Sequence, residues 1–301
     1  MISVIMSAYQ EDLSVFVPAV TSILDQKGPS FELILVLDDP ENTELASWVD
    51  ENLLSDDRVR VLRNKNNLGL ARSLNRAIEN ASGDFLCRMD ADDIAEPHRL
   101  EKQLSYLREH ELDLVGSRVN VVDAEGEFLY MTPQPPCTPE KVAKVLKWNN
   151  CLAHPTWFGR KEVFAQGYRE IPLCEDYDFQ IRAVLKGFKL GNCEDVTLSY
   201  RLSDEGLSRS SLYKQYLYQR CLTKVYKQGK AVDVDRAKEY VERAYTEKKA
   251  RKYSQANDYF QHAMNALSQK RIAIAICSGA KSIMASSSYA DKVRRLIFAS
   301  L

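Results

Sequence analysis

Short β-branched runs alternate with helix-like segments four times in the first 115 or so residues of the chain. The expected strands cover residues 3–7, 31–37, 58–62 and 85–89, and the helices follow them at residues 13–24, 41–54, 70–78 and 97–109. Such alternation predicts an α/β fold in which a parallel sheet carries helices on both faces. Ligands of these sheets bind beyond the carboxyl ends of the strands, so polar residues after each strand are the candidate site residues.

The rest of the chain divides into an irregular middle and a helical end. Between residues 112 and 206, strands are expected at 112–122, 126–130, 188–193 and 196–202, with helices at 139–147 and 175–186. From about residue 208 the pattern is helical only, at 213–227, 233–252 and 255–268. These patterns predict an α/β domain over residues 1–207 and a helical region over residues 208–301.

The charge and cysteine content argue against several classes of protein. Lysine and arginine number 41 and aspartate and glutamate 42, so no global basicity favours binding to nucleic acid. The seven cysteines are odd in number and never form Cys-x-x-Cys, which is typical of free thiols in a reducing cytoplasm. The chain has no run of about 18 apolar residues, so no transmembrane helix is expected.

Residues 269–301 combine basic and apolar character. They contain six lysines and arginines, one aspartate and several large aliphatic residues. A basic amphipathic segment of this kind can lie on an anionic membrane surface. The alternative is a pair of helices that packs on the α/β domain and leaves a basic face in solvent.

Three carboxylates fall within four successive positions directly after the fourth expected strand: Asp90, Asp92 and Asp93. Because like charges on one short turn repel each other, such a cluster is costly unless a cation neutralises it. Carboxylate oxygens are the ligands that Mg²⁺ and Mn²⁺ prefer, often together with substrate phosphates. The alternative is an exposed acidic turn that caps the helix beginning at Pro97.

Polar residues also follow the other expected strands. Tyr9 could stack on a nucleotide base or pack on the first helix. Asp38 and Asp39 end the second strand, where a carboxylate can accept hydrogen bonds from a base or ribose, or cap the next helix. Arg72 lies in the first turn of the third helix, where it could reach a phosphate or remain solvated.

A further acidic group, Glu175 and Asp176, opens the expected helix at residues 175–186. These carboxylates could act in catalysis, or they could only complement the helix dipole. The chain lacks the G-x-G, P-loop and G-x-S-x-G motifs, which argues against dinucleotide-binding proteins, P-loop proteins and α/β-hydrolases.

Five of these motifs follow one another along the chain, at residues 4–9, 35–39, 67–72, 90–93 and 175–178. Together they resemble the family 2 inverting glycosyltransferases, which have a GT-A fold. The segments 154–158 and 200–210 look like the branch of this family that builds bacterial polysaccharides. The resemblance covers about residues 1–205. It implies a mostly parallel GT-A sheet flanked by helices, with the helical region as a C-terminal appendage.

The resemblance also implies a role for each candidate residue. On the donor side it implies contacts to the nucleotide and its metal ion, made by Ser7, Tyr9, Asp39, Arg72, Asp90 and Asp92. Asp90 would lie near the ribose or the metal, and Asp92 would bind Mn²⁺ or Mg²⁺. Asp176 would be the general base. The acceptor side would be lined by Glu175, Trp157 and His154.

The implied substrates are a nucleotide-sugar, UDP-linked first and dTDP-linked second, and a glycan acceptor carried on polyprenyl diphosphate. The implied setting is O-antigen or capsule synthesis in the cytoplasm, at the inner face of the cell membrane. Two departures from the family pattern affect the site. Pro40 stands where relatives usually have glycine, and residues 201–210 contain no histidine. The competing interpretation is a non-catalytic transferase domain that serves as a scaffold through its helical tail.

Overall fold

The computed structural model of the protein describes residues 1–202 and 211–300. These residues form two compact units. The first contains residues 1–143, 150–170 and 179–202, and the second contains residues 144–149, 171–178 and 211–300. The domain boundary expected at residues 207 and 208 lies outside the described residues. None of the described helices combines the length and apolar character needed to cross a membrane.

The first half of the sheet is built from four strands, three of them largely buried. These are β1 (Ile2–Ala8), β2 (Phe31–Leu37), β3 (Val59–Arg63) and β4 (Phe85–Asp90), all parallel and in the spatial order β3-β2-β1-β4. Neighbouring residues of a strand point to opposite faces of the sheet, and neither Val4 nor Ile5 of β1 has any exposed surface. Both faces of the sheet are therefore covered at this strand.

Four helices connect these strands and lead on from β4. They are α1 (Leu13–Leu24), α2 (Thr43–Asn52), α3 (Leu70–Asn80) and α4 (Arg99–Glu109). Apolar residues of α1 and α2, such as Phe16, Val20 and Val49, are buried in one core with alternate residues of the strands. The fourfold alternation of strand and helix is confirmed, with ends that differ from the expected ones by only a few residues.

The second half of the sheet mixes strand directions. It is formed by β5 (Ile94–Ala95), β6 (Leu114–Val122), β7 (Phe128–Met131), β8 (Phe158–Arg160) and β9 (Leu190–Arg201). The order continues from β4 through β8, β6 and β9 to β5, and β7 pairs with β6. Strands β6 and β9 form a long parallel pair, whereas β8 runs antiparallel to both β4 and β6. Because the long pairings are parallel, the sheet is mostly parallel, as expected.

Three strands depart from the sequence-based expectation. Strands β5 and β8 have two and three residues, too few for a strand period to be recognised. Strand β9 is a single strand where two were expected, because its pairing with β6 shifts register near Ser117 and Arg118 and then continues. Glu194 and Asp195 fall at this shift and are exposed, which explains the interrupted apolar pattern.

Shorter helices join the later strands. They are α5 (Pro139–Val145), a 3-10 turn (His154–Thr156), α6 (Lys161–Phe164) and α7 (Glu175–Leu185). Helix α7 begins at the position expected for it, so Glu175 and Asp176 occupy its first turn.

The described part of the chain after residue 210 is helical. Its helices are α8 (Leu212–Tyr226), α9 (Val234–Ala244), α10 (Glu247–Ser268), α11 (Ile272–Ala285) and α12 (Ser287–Ser300). The single helix expected at residues 233–252 is wrong. The backbone leaves the helical conformation at Tyr245, and the Thr246 hydroxyl caps a new helix by accepting a hydrogen bond from the Lys249 amide at 3.3 Å.

Tyrosines form the centre of the second unit. The ring of Tyr253 lies 5.2 Å from the ring of Tyr216 and 5.1 Å from the ring of Tyr289, measured between centroids. All three side chains are buried. Helices α8, α10 and α12 thus meet through aromatic contacts, which favour these tilted and edge-on arrangements.

Candidate active site

The carboxyl ends of β1 and β4 meet at one edge of the sheet. In the parallel pairing of these strands, Ser7 of β1 lies opposite Asp90 of β4. The turn that follows β4 carries Asp92 and Asp93, and the carboxylates of all three aspartates offer oxygens within 4.8 Å of one another. The strand ends therefore bring the acidic motif beside the first strand, as the parallel sheet predicts.

Asp90 is held by a buried arginine from its own strand. The guanidinium of Arg88 donates two hydrogen bonds to the Asp90 carboxylate, one of them at 2.7 Å from Nη1 to Oδ2. Arg88 is buried, whereas Asp90 is partly exposed. A bidentate pair of this kind fixes the orientation of the carboxylate. Arg88 could not be recognised from the sequence, since an arginine within an apolar strand has no functional pattern.

Asp93 is fully buried and only half satisfied. Its Oδ1 accepts a hydrogen bond from the backbone amide of Arg201 at 2.9 Å, and its Oδ2 has no hydrogen-bond partner among the described residues. Burial, followed by the charges of Asp90 and Asp92, raises the pKa of Asp93 well above its usual range. A buried carboxylate oxygen without a partner is costly, and a cation ligand would satisfy it. This burial also contradicts the alternative of an exposed acidic turn.

The acidic turn does not cap helix α4. That helix begins at Arg99 with His98 as its N-cap residue, several positions beyond Asp93. Arg201 of β9 instead ties the turn to its surroundings, since its guanidinium donates to the Asp92 carbonyl at 3.1 Å and to the Ala124 carbonyl at 2.6 Å. Arg201 is separated from Asp93 by more than one hundred residues, so no local pattern could reveal this contact.

Two further carboxyl groups near this turn have raised pKa values. Burial and then the charge of Asp90 raise the pKa of Asp92 to about 6. Burial raises the pKa of Glu11 to about 7, with smaller contributions from Asp92 and Asp90, and its carboxylate accepts a hydrogen bond from the Tyr9 amide at 2.6 Å. The site thus concentrates negative charge that its own cations leave uncompensated, and this donor set suits a hard divalent cation. Glu11 was missed because it lies beyond the strand-end motif.

The residues expected to hold the nucleotide surround this edge. Tyr9 is 40% exposed, so its ring has free surface. Asp39 is partly exposed, and its Oδ1 accepts a hydrogen bond from the Glu41 amide at 2.9 Å. The N-cap of α2 is Asn42, which accepts from the Leu45 amide at 3.1 Å, so the alternative role of Asp39 as helix cap is wrong.

The neighbouring Asp38 has a structural part in the site. It is buried and accepts hydrogen bonds from the Asn64 side chain at 2.6 Å and from the backbone amides of Leu68 and Gly69, both at 2.8 Å. Gly69 has φ of 81°, a left-handed conformation that side chains rarely adopt. Asp38 therefore anchors the loop that leads into α3 and to Arg72.

Arg72 is engaged by a carboxylate. Its Nε and Nη2 donate to Glu170 at 2.6 and 3.0 Å. More than half of each side chain is exposed, and exposed ion pairs contribute little free energy. A phosphate could therefore displace Glu170 at small cost.

Of the residues expected on the acceptor side, Trp157 belongs to the core, and His154 is partly exposed and packs against it. Trp157 has no exposed surface, and its indole nitrogen donates to the Leu152 carbonyl at 3.3 Å, so direct contact between Trp157 and an acceptor is wrong. His154 is hydrogen-bonded to the Tyr168 hydroxyl at 2.8 Å and lies edge-on to Trp157. Burial lowers the pKa of His154 well below its usual range. Sequence cannot distinguish an aromatic residue in a groove from one beneath it.

Glu175 and Asp176 open α7 and are both partly exposed. The Asp176 carboxylate accepts a hydrogen bond from the Tyr177 amide at 2.7 Å, and the Tyr177 hydroxyl donates to the Leu146 carbonyl at 2.6 Å. The first turn is thus anchored by a buried tyrosine while its acidic groups keep access to solvent. The segment at residues 207–210, part of the resemblance, lies outside the described residues.

The mostly parallel sheet with an acidic turn after its fourth strand is the arrangement that the resemblance to glycosyltransferases predicts. The chain belongs to glycosyl transferase family 2, whose family model matches residues 3–167. It is 32% identical over 217 residues to the O-antigen biosynthesis glycosyltransferase WbnJ of Escherichia coli, covering 70% of this chain and 84% of that protein. It is 30% identical over 221 residues to an uncharacterised glycosyltransferase of Methanocaldococcus jannaschii, covering 72% of this chain and 76% of that protein.

A solved structure shares the fold. The S. aureus TarS fragment 1–349, in complex with UDP-GlcNAc, matches with a TM-score of 0.61 over 95% of this chain and 92% of that chain, at 16% identity. The family and the GT-A fold expected from the motifs are thereby confirmed.

Proposed function

We propose that this protein is a metal-dependent inverting glycosyltransferase of bacterial surface polysaccharide synthesis, such as O-antigen or capsule. It transfers a hexosyl group from a nucleotide-sugar to a hydroxyl group of a glycan acceptor. The observation that carries the proposal is the trio Asp90, Asp92 and Asp93 at the edge of the sheet, with one buried oxygen lacking a partner. UDP is the first choice of nucleotide and dTDP the second. The O-antigen relative and the UDP-GlcNAc of the structural neighbour support these choices.

The donor side of the proposal uses the ends of the first strands. Ser7, Tyr9 and Asp39 contact the base and ribose, and Arg72 exchanges Glu170 for the diphosphate. Asp90 and Asp92 hold Mn²⁺ or Mg²⁺, which would neutralise charge on the departing nucleoside diphosphate. The fixed Asp90–Arg88 pair keeps one ligand preorganised, so little free energy is lost in ordering the site.

The chemical step needs a base for the acceptor hydroxyl group. The acceptor oxygen forms a bond to the anomeric carbon as the bond from that carbon to the diphosphate oxygen breaks. The hydroxyl proton passes to the Asp176 carboxylate, and Glu175 contacts the acceptor. Attack opposite the leaving group inverts the anomeric carbon, so an α-linked donor yields a β-linked product. Asp176 suits this role because the first turn of a helix favours an ionised carboxylate.

Nucleotide binding is expected to depend on the metal and to select one base. UDP with Mn²⁺ should raise the melting temperature of the protein, because a ligand at one hundred times its Kd stabilises the folded state by about 2.7 kcal/mol. The measurement is a thermal-shift panel of UDP, GDP, dTDP and CMP, each with Mn²⁺ or with EDTA. If no nucleotide shifts the melting temperature of a cooperatively folded sample, the donor site is refuted. The result would then favour the alternative of a non-catalytic scaffold.

The acceptor in this proposal is a glycan on polyprenyl diphosphate, reached through peripheral contact with the inner face of the cell membrane. Helix α11 supports it, since Ile272, Ile276 and Ile283 recur at helical spacing and are 54%, 69% and 49% exposed. Residues 269–290 contain no acidic residue and three basic ones. Exposed apolar residues within a basic segment favour an anionic membrane surface.

The double variant Ile276→Asp, Ile283→Asp is expected to lose binding to vesicles that contain anionic lipid, because it places two charges on the apolar face. Cosedimentation with such vesicles measures it. The matched control is Leu54→Asp, which also replaces an exposed aliphatic residue by a charge but lies in the first unit. Equal sedimentation of the double variant and the unaltered protein would refute membrane contact. Deletion of residues 269–301 is a poorer test, since it would remove the buried Tyr289 and Arg295.

A further inference from the structure

The second unit contains a cavity that the proposed transfer step does not use. Its volume is about 250 Å³. This is slightly below the range of typical small-molecule sites, which begins at about 300 Å³. It is lined by Trp148, Asn149, Gln215, Gln219, Lys292 and Arg295, together with Leu212, Tyr216, Tyr253 and Leu296. Every one of these residues belongs to the second unit, so the cavity is formed within it.

The charge of this lining is positive. Lys292 and Arg295, both on α12, contribute two cations, and the lining includes no aspartate or glutamate. Arg295 is buried and donates to the Trp148 carbonyl from Nε at 2.8 Å and from Nη2 at 2.6 Å, so these partners are neutral. No carboxylate among the described residues forms an ion pair with either cation. The nearby Asp291 already binds the Tyr216 hydroxyl and Arg294.

Lys292 is the more informative of the two cations. Its ammonium nitrogen lies 5.0 Å from the ring centroid of Tyr289 and 5.9 Å from that of Tyr253. Burial lowers its pKa. Aromatic faces attract a cation only weakly, so they compensate little of the cost of removing it from water. A partly buried cation with no anionic partner, next to the buried Arg295, marks a place where an anionic ligand would be stabilised.

The remaining walls fit a sugar or an apolar group beside such an anion. Three amide side chains, Asn149, Gln215 and Gln219, supply hydrogen-bonding groups. The indole of Trp148 stacks on Phe298 at 4.8 Å between centroids, and Phe298 and Leu296 are 43% and 38% exposed. Two cationic side chains, three amides and an aromatic rim together suit a phosphate that carries a glycan or a lipid.

The walls of the cavity are bonded to the segment that presents Asp176. The Gln215 side chain of α8 donates to the Leu173 carbonyl at 3.2 Å, and the Cys174 thiol lies 3.7 Å from the Gln215 carbonyl. On the other wall, the Tyr177 hydroxyl donates to the Leu146 carbonyl at 2.6 Å, two residues before Trp148. A ligand in the cavity therefore lies against the same small framework that holds the proposed base.

We propose that this cavity binds the phosphate or diphosphate group of the acceptor, with Lys292 and Arg295 as the cationic side chains that contact it. The inference rests on the proposed function, because it gives the acceptor an anchoring group next to the segment of the general base. The shared chemistry is a phosphate ester, whether it belongs to a lipid carrier or to a free glycan phosphate.

The test is the variant Lys292→Met, which removes the charge and keeps most of the side-chain length. Inorganic pyrophosphate and farnesyl diphosphate are titrated calorimetrically into the full chain in EDTA, where the acidic donor site repels anions. The unaltered protein is expected to bind, and Lys292→Met to bind at least about tenfold more weakly, the loss expected for a charged hydrogen bond. Lys292→Arg should retain binding. The matched control Lys224→Met changes an exposed lysine of α8 outside the cavity and should leave binding unchanged.

The outcomes separate the sources of the phosphate and the two proposals. Tighter binding of farnesyl diphosphate than of pyrophosphate indicates a lipid carrier, and equal affinities indicate that the anionic group suffices. Equal affinity of Lys292→Met and the unaltered protein would overturn the inference, as would binding of farnesol as tight as that of farnesyl diphosphate. If sugar transfer persists while neither anion binds, the cavity proposal fails and the proposed function stands. If the anions bind but no sugar is transferred, the cavity proposal stands and the proposed function fails.

Discussion

Asp176→Asn is expected to lower the rate of sugar transfer by about 10²–10⁴-fold, the usual contribution of a general base. The amide keeps the shape of the carboxylate but cannot take the proton of the acceptor hydroxyl group. Its oxygen can still accept the hydrogen bond from the Tyr177 amide, so the first turn of α7 should remain folded. The measurement is kcat for transfer, together with the Kd for UDP in the presence of Mn²⁺.

The matched control is Glu175→Gln, the same type of change one residue earlier. If Glu175 only contacts the acceptor, its variant should raise KM for the acceptor and reduce kcat far less. Unchanged turnover in Asp176→Asn would remove Asp176 from the mechanism. A loss of UDP affinity in that variant would instead indicate a role on the donor side.

The parallel half of the fold was predictable because its central strands are buried on both faces. Strands β1 and β2 consist mostly of buried apolar residues, so they stand out in the sequence as short apolar runs. Because the strands are parallel, their carboxyl ends lie at one edge of the sheet. The position of Ser7 opposite Asp90 at that edge could therefore be predicted from the topology. Local sequence carried enough information here, since each strand and its following helix are contiguous in the chain.

The contacts that give the site its properties are long-range, and sequence could not show them. The Arg201 amide bonds the Asp93 carboxylate across 108 residues, and the ion pair of Arg72 with Glu170 spans 98. Trp157 follows a polar loop that looks accessible, yet packing against Phe179 and Tyr168 removes it from solvent. Burial and side-chain pairing are properties of the assembled core, so candidate residues could be named from motifs but not their surroundings.

Asp92→Asn is expected to change stability and metal response in opposite directions. The pKa of Asp92 is raised from 3.8 to about 6 in the folded protein, so only at a pH well below 3.8 is its carboxyl protonated in both the folded and the unfolded state. As pH rises towards and past 6, the unfolded state ionises first, and stability is lost. At pH 8 this loss reaches up to about 3 kcal/mol, at about 1.36 kcal/mol for each unit of pKa. Without metal, the asparagine variant escapes this loss.

In EDTA at pH 7.5, Asp92→Asn should therefore melt at a higher temperature than the unaltered protein, and the difference should become small as the pH falls to 4. With Mn²⁺ and UDP, the variant should lose most of the added stability, because a ligand of the cation is gone. Thermal unfolding from pH 4 to 8, with EDTA or with Mn²⁺ and UDP, measures both effects. Asp57→Asn, an exposed aspartate outside the cluster, should change neither. A general loss of folding would lower the melting temperature in both conditions. A variant that is less stable in EDTA, or that keeps the full metal response, would contradict the assignment of Asp92 as a metal ligand.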